Sequence, residues 1–203
     1  MLALGANLIK GEVRDLAPAN GGARLILTDG TQLQARQVVI AAGAWSKRLA
    51  MLLGDAIPLE TERGYNTTLP PGAFDLDRQL IFGEHGFVVT PLSTGIRIGR
   101  AVELGGLKLA PDFRRSEVML RKAQRFLPGL NTENGRQWMG FRPSLPDTLP
   151  VIGTSSATRA IVYAFGHGHL GLTQCSATAC LVAKIPAGRE PAISITPFRP
   201  DRF

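Results

Sequence analysis

The chain has 203 residues, 44% hydrophobic and 19% charged, enough for one substantial core and too little for two large independent domains. Its formal charge is +7, mostly from arginine, yet no Lys/Arg run exceeds two residues and no aromatic-studded basic stripe appears. That pattern argues for a solvated basic surface and against a nucleic-acid partner. With 23 glycines and 14 prolines, many turns and a strand-rich fold are expected.

The opening "MLALGANLIKG" has no basic flank, and Asn7 interrupts its short apolar stretch, so it does not read as a signal peptide. The longest apolar run falls far short of the ~20 residues that span a bilayer. "NLIKGEVRDLAP" and "ARLILTDGTQLQARQ" alternate in strand fashion, with "TDGT" (Thr28 to Thr31) as a hairpin turn. "QVVIAAG" (Gln37 to Gly43) is a continuous apolar run, the pattern of a central strand covered on both faces. "AWSKRLAMLLG" has helical spacing and stops at Gly54. "QLIFGEHGFVVTPL" and "GIRIGRAVEL" predict an antiparallel meander, and "PDFRRSEVMLRKAQRFLPG" an amphipathic helix. "RQWMGFRPSLPDTLPVIG" returns to strand and turn. "AIVYAF" is a buried strand, followed by a glycine turn and the helix "LTQCSATACLVAK". On that helix Cys175 and Cys180 lie about 140° apart around the axis and cannot pair. They read as small buried hydrophobes in a reducing compartment. No Cys/His spacing resembles a metal site.

Gly166, Gly168 and Gly171 spell G-x-G-x-x-G between a strand and a helix. A dinucleotide-binding unit also needs a second strand that ends in an acid for the ribose. Glu190 lies at about the right spacing, but it precedes the next plausible strand, "AISIT" (Ala192 to Thr196), instead of ending it. The stretch is therefore not a pyrophosphate site. Its physics still points to a ligand: glycines let backbone N–H groups approach a flat or anionic group, and the helix presents its positive end there.

"VVIAAGAWS" (Val38 to Ser46), "FRPSLPDTLPVIG" (Phe141 to Gly153) and "GHGHLGLTQ" (Gly166 to Gln174) together resemble, in this order, the FAD-dependent D-amino-acid oxidase/dehydrogenase superfamily. "PLETERGYNTTLP" (Pro58 to Pro70) and "PFRPDRF" (Pro197 to Phe203) look most like its bacterial D-amino-acid dehydrogenase branch. The resemblance runs essentially end to end. The chain's opening, however, resembles family mid-sequence, and the family's true FAD fingerprint lies in a long segment that precedes it. The resemblance thus implies the C-terminal part of a flavoenzyme.

The implied fold is α+β: part of a flavin-binding sheet plus an antiparallel substrate-domain sheet with helices on one face. The two are interleaved, with residues 1–56 and 138–203 on the flavin side and 57–137 on the substrate side. The implied parent reaction is oxidative deamination of a D-amino acid or related secondary amine, with hydride passing to FAD. A glycine- or sarcosine-oxidase-like activity and a non-enzymatic, oligomerising module are the alternatives. By position, Val13 matches a contact to the adenine, and Ala42, Gly43 and Trp45 match the strand-end turn beside FAD. Gly166, His167, Gly168, Gly171, Leu172 and Thr173 match the turn facing the flavin's pyrimidine edge. Arg142 matches the clamp on the substrate carboxylate, a role suited to a planar guanidinium, and Tyr65 is a candidate pocket liner. His85, His167 and His169 receive no catalytic role, because hydride transfer from a deprotonated amine does not oblige the enzyme to supply a general base. FAD belongs to the parent and is not expected to stay on this chain alone. A missing N-terminal half, a homo-oligomer and a cytoplasmic location, free or at the inner membrane face, complete the expectations.

Overall fold

The computed structural model describes residues 2–203. The chain forms two compact units, Met1–Leu59 with Pro143–Phe203, and Glu60–Arg142. The boundaries read from the sequence were 56/57 and 137/138; the observed ones place Arg142 with the antiparallel unit.

The discontinuous unit opens with β1 (Val13–Ala19), β2 (Gly22–Leu27) and β3 (Gln32–Ala35), an antiparallel sheet in that order. At the β2–β3 turn, the Thr31 N–H donates to the Asp29 carboxylate at 2.9 Å, a local bond that competes with strand extension. Next come β4 (Val38–Ile40), a single 3-10 turn over Gly43–Trp45, and α1 (Ser46–Leu52).

The second unit holds β5 (Glu60–Leu69), β6 (Leu80–Phe82), β7 (Phe87–Leu92), β8 (Gly95–Leu104), α2 (Arg114–Phe126) and β9 (Arg136–Ser144), whose last two residues belong to the first unit. Its five strands are ordered β6-β7-β8-β5-β9. The amphipathic α2 turns Met119 and Ala123 into a core with Tyr65, Phe87, Val89 and Ile98. Each large apolar side chain buried there contributes about 1.5–3 kcal/mol. β5 runs without a bulge, while β8 carries an extra residue opposite Tyr65/Asn66, where Arg100 has φ 111°. Strand alternation therefore sends Arg63, Tyr65, Thr67 and Leu69 to the α2 side and Glu62, Gly64, Asn66 and Thr68 to the other.

The chain then re-enters the first unit through β10 (Val151–Thr154), β11 (Ile161–Phe165) and α3 (Gly171–Lys184). β11 pairs antiparallel with β10 and parallel with β4, with Val162 opposite Val39. Leu16, Ile40, Leu49, Val151, Ile161 and Phe165 belong to this unit's core.

Three sequence expectations are corrected here. "QVVIAAG" was read as a central, doubly covered strand, yet β4 is an edge strand of its sheet and Val39 is 46% exposed. Cys175 and Cys180 are free, but exposed instead of buried. Only Leu181 of α3 is buried, so the helix leaves most of its apolar and small residues uncovered. "AISIT" forms no strand; the chain there is irregular before a 3-10 turn at Thr196–Phe198. With no neighbouring strand to receive its hydrogen bonds, an alternating stretch of five residues stays a loop.

Candidate functional site

The antiparallel unit presents one charged side chain in an unusual setting. Near the end of β9, Arg142 lays its guanidinium over Gly64 of β5: a Cβ on Gly64 would fall 2.1 Å from Nη1 and 2.2 Å from Cζ. Glycine inside a strand interior weakens it, and here the missing side chain is the space the arginine occupies. Arg142 is half-buried, and its Nη1 is enclosed without a hydrogen-bond partner. Burial pulls its pKa below the ordinary arginine value, while the negative charge of Glu62 pushes the other way. A guanidinium stays protonated under such conditions, so the group is a fixed cation with donor capacity in reserve. It is suited to a planar anion such as a carboxylate.

Tyr65 does not line a pocket. It is fully buried in the α2 core, its hydroxyl donating to Glu103 Oε2 at 2.6 Å and accepting from the Asp112 N–H at 3.1 Å. Burial first, and the bond to Glu103 second, raise its pKa. Glu103 also pairs with the fully buried Arg63 at 3.2 Å and with Arg115 at 3.1 Å. Tyr65 therefore belongs to a structural network tying β5, β8 and α2. The alternation of β5 explains the correction: odd-numbered positions face the helix.

Two residues on the Arg142 face were missed from the sequence. Asn66, 9% exposed, lies two positions along β5 from Gly64, and its Oδ1 is enclosed without a partner. Trp138, 55% exposed, lays its ring over Gly140, where a Cβ would come within 2.1 Å of the indole. Glycines at 64 and 140 inside strands were the available signal, since such glycines mark close approach.

The discontinuous unit holds the glycine turn. Gly166 and Gly168 have φ of 86° and 52°, conformations that favour glycine. The Gly168 N–H donates to the Pro143 carbonyl at 2.8 Å, which fixes the turn against the start of the returning segment. His167 is partly buried, which lowers its pKa, and its Nε2 lies 2.9 Å from Thr178 Oγ1. α3 starts at Gly171 with no side-chain cap, and Leu172, 90% exposed, and Thr173 stand at its first turn. Backbone N–H groups of a first turn have no partner within the helix, so this end can receive an acceptor. Elsewhere in the unit, Val13 opens β1 and packs partly buried against the core. Ala42 is exposed, Gly43 has φ 55° with open space where a Cβ would sit, and Trp45 is 55% exposed.

The uncapped start of α3, with Leu172 exposed beside it, and the Gly168 side of the turn fit the ring end of a flavin, while Gly166 packs against Leu145, which a Cβ there would meet at 2.5 Å. These residues do not supply a pyrophosphate site, because no strand follows α3 among the described residues. Among those residues, too, no group of three His, Cys, Asp or Glu is placed to hold a metal. Among the described residues no helix is long and apolar enough to cross a membrane.

Residues 1–185 match the model of the DAO family, described as FAD dependent oxidoreductase. A D-amino-acid oxidase of Bradyrhizobium diazoefficiens is 37% identical over the whole chain, which covers 49% of that protein. A D-amino acid dehydrogenase of Paramagnetospirillum magneticum is 33% identical over 93% of the chain and 45% of its own length. Among solved structures, glycine oxidase from Geobacillus kaustophilus superposes with a TM-score of 0.88 at 26% identity, covering all of this chain and 55% of that one. The chain thus spans about half the length of the relatives it matches.

Proposed function

The chain belongs to the DAO family of FAD-dependent oxidoreductases, and from that premise we propose that it carries the carboxylate-binding sheet and the flavin-ring turn of an enzyme that oxidatively deaminates D-amino acids or related secondary amines. FAD, when bound, would accept the hydride. This chain's part is to bind and orient. Arg142 would hold the substrate carboxylate through two parallel hydrogen bonds. The turn from Gly166 to Thr173 and the start of α3 would offer backbone donors and a positive helix end to the pyrimidine edge of the ring, where negative charge develops on reduction. Gly43 and Trp45 would flank the cofactor, and Val13 its adenine. A cytoplasmic setting, free or against the inner face of the membrane, belongs to the same reading.

The observation that carries the proposal is the Arg142 guanidinium, seated where Gly64 makes room and with Nη1 unpaired. Titrating the 203-residue chain with propionate, followed by NMR shifts, tests it. Arg142→Lys loses one of two charge-assisted bonds and should weaken binding by roughly tenfold or more. Equal binding by the two proteins would remove Arg142 as the clamp.

Two other readings have an observation behind them. The likeness to glycine oxidase favours a smaller amine substrate on the same fold; comparing glycine with D-alanine separates the two. The uncovered α3 favours a self-associating module without catalysis. That reading predicts association with no carboxylate binding.

A further inference from the structure

The face of the antiparallel sheet that carries Arg142 holds a second polar group without a partner, two residues from Gly64. Asn66 is 9% exposed, and its enclosed Oδ1 accepts no hydrogen bond. A buried amide oxygen left unpaired is costly, so such groups are rare in folded proteins and mark a missing partner. The surroundings support this. Gly99, directly across from Asn66 on β8, would bring a Cβ to 3.0 Å from the Asn66 Cβ. Gly64 thus seats the Arg142 guanidinium, and Gly99 leaves room for the Asn66 side chain, on the same face of the sheet.

The spacing suits one class of ligand. Gly64 and Asn66 are two residues apart on an extended strand, about 6.5 Å. The guanidinium of Arg142 sits directly over the first of them. In an α-amino acid the amine nitrogen lies about 2.5 Å from the carboxylate carbon. A carboxylate seated on Arg142 with its amine turned along β5 would bring that amine within one hydrogen bond, about 2.8 Å, of Asn66. The unpaired Oδ1 of Asn66 is an acceptor, the complement of an amine donor.

Resting on the reading of Arg142 as the carboxylate clamp, we infer that Asn66 is a specificity-determining residue that accepts a hydrogen bond from the substrate's α-amine. Arg142 and Asn66 together read the two ends of an amino acid. A simple carboxylate fills only the first position.

The test compares D-alanine with propionate, which differ by the amine, on the 203-residue chain by calorimetry. The wild type should prefer D-alanine by about tenfold, the value of one charge-assisted bond near 1.4 kcal/mol. Asn66→Ala should abolish that preference while leaving propionate affinity unchanged, and Thr68→Ala, on the same strand face, should leave the preference intact. A thermal melt of each variant checks that it is folded, and Asn66→Leu, which keeps the size of the side chain and removes the acceptor, replaces the alanine variant if that one unfolds. Equal wild-type binding of the two ligands overturns the role of Asn66 and spares Arg142. Failure of both ligands to bind overturns the carboxylate reading and this inference with it.

Discussion

The hydroxyl of Tyr163, fully buried on β11, donates to Asp55 Oδ2 at 2.5 Å, joining the segment after α1 to the parallel strand pair. The same oxygen accepts from Ser155 Oγ at 2.8 Å and from the Ser156 N–H at 3.2 Å. Burial works against the charged form of Asp55, but the donors from Ser156, Tyr163 and Ser155 outweigh it and its pKa is lowered. The tyrosine is pushed up, by burial first and by Asp55 second. Removing its hydroxyl in Tyr163→Phe leaves the carboxylate one donor short and should cost about 1–3 kcal/mol, read from urea midpoints at neutral pH.

The same contact carries a pH dependence. A carboxyl whose pKa is depressed by folding adds stability that is full above its unfolded value, about 3.9, and is lost as pH falls through the lower folded value. Asp55→Asn should therefore be less stable than wild type at neutral pH, with the gap closing below about pH 4. A stability gap as wide in acid as at neutral pH would show that the charge of Asp55 is not what stabilises the fold.

Gly64 offers a way to disable Arg142 without removing its charge. In Gly64→Ala the new methyl would sit 2.1 Å from Nη1, so the guanidinium must leave its seat. Propionate affinity should fall about as far as in Arg142→Lys, roughly tenfold, although the net charge is unchanged. Undiminished affinity would mean that the position of the guanidinium does not matter.

Tyr65→Phe separates structure from binding. The substitution deletes the bonds to Glu103 and to the Asp112 N–H inside the network of Arg63 and Arg115. The melting temperature should drop while propionate binding stays as in wild type. A selective loss of binding in a protein of normal stability would restore Tyr65 to the pocket.

The patterns that were legible in the sequence were those set by local chemistry. The spacing of Met119 and Ala123 placed α2, "TDGT" placed the β2–β3 hairpin, and the glycines after "IVYAF" placed the turn before α3. What failed depended on neighbours. The apolar run of β4 reads as central, but a strand's cover is a property of the sheet around it, and Val39 is open on this chain. Cys175 and Cys180 have the composition of buried positions on a helix that lacks a covering layer. Tyr65 and Asn66 were both within a recognised segment, yet which of them faces the core is set by the register of β5 against β8. A one-residue difference in phase exchanges a core tyrosine for a pocket liner.

The uncovered surfaces lead to the last prediction, that this chain alone neither holds FAD tightly nor oxidises an amino acid. A dinucleotide is anchored chiefly at its pyrophosphate, on a glycine turn and helix start followed by a second strand with an acid for the ribose. α3 has the glycine turn, but the residues after it form irregular chain and 3-10 turns. On the reading proposed above, the remaining contacts would come from Val13, the Gly43 turn and the Gly166–Thr173 turn, which would grip only the edges of the cofactor. Val39 on the edge of β4 and Leu172 on α3, 46% and 90% exposed, add apolar surface that favours self-association. The purified 203-residue chain should be colourless, elute larger than a monomer, and show no dye-linked dehydrogenase activity with D-alanine. Gly168→Val, which forces a branched side chain onto a backbone with φ 52°, should then matter only in a protein that also carries the pyrophosphate-binding segment, where flavin content should fall. A yellow preparation of this chain with stoichiometric FAD would overturn the prediction, because edge contacts would then suffice to hold the cofactor.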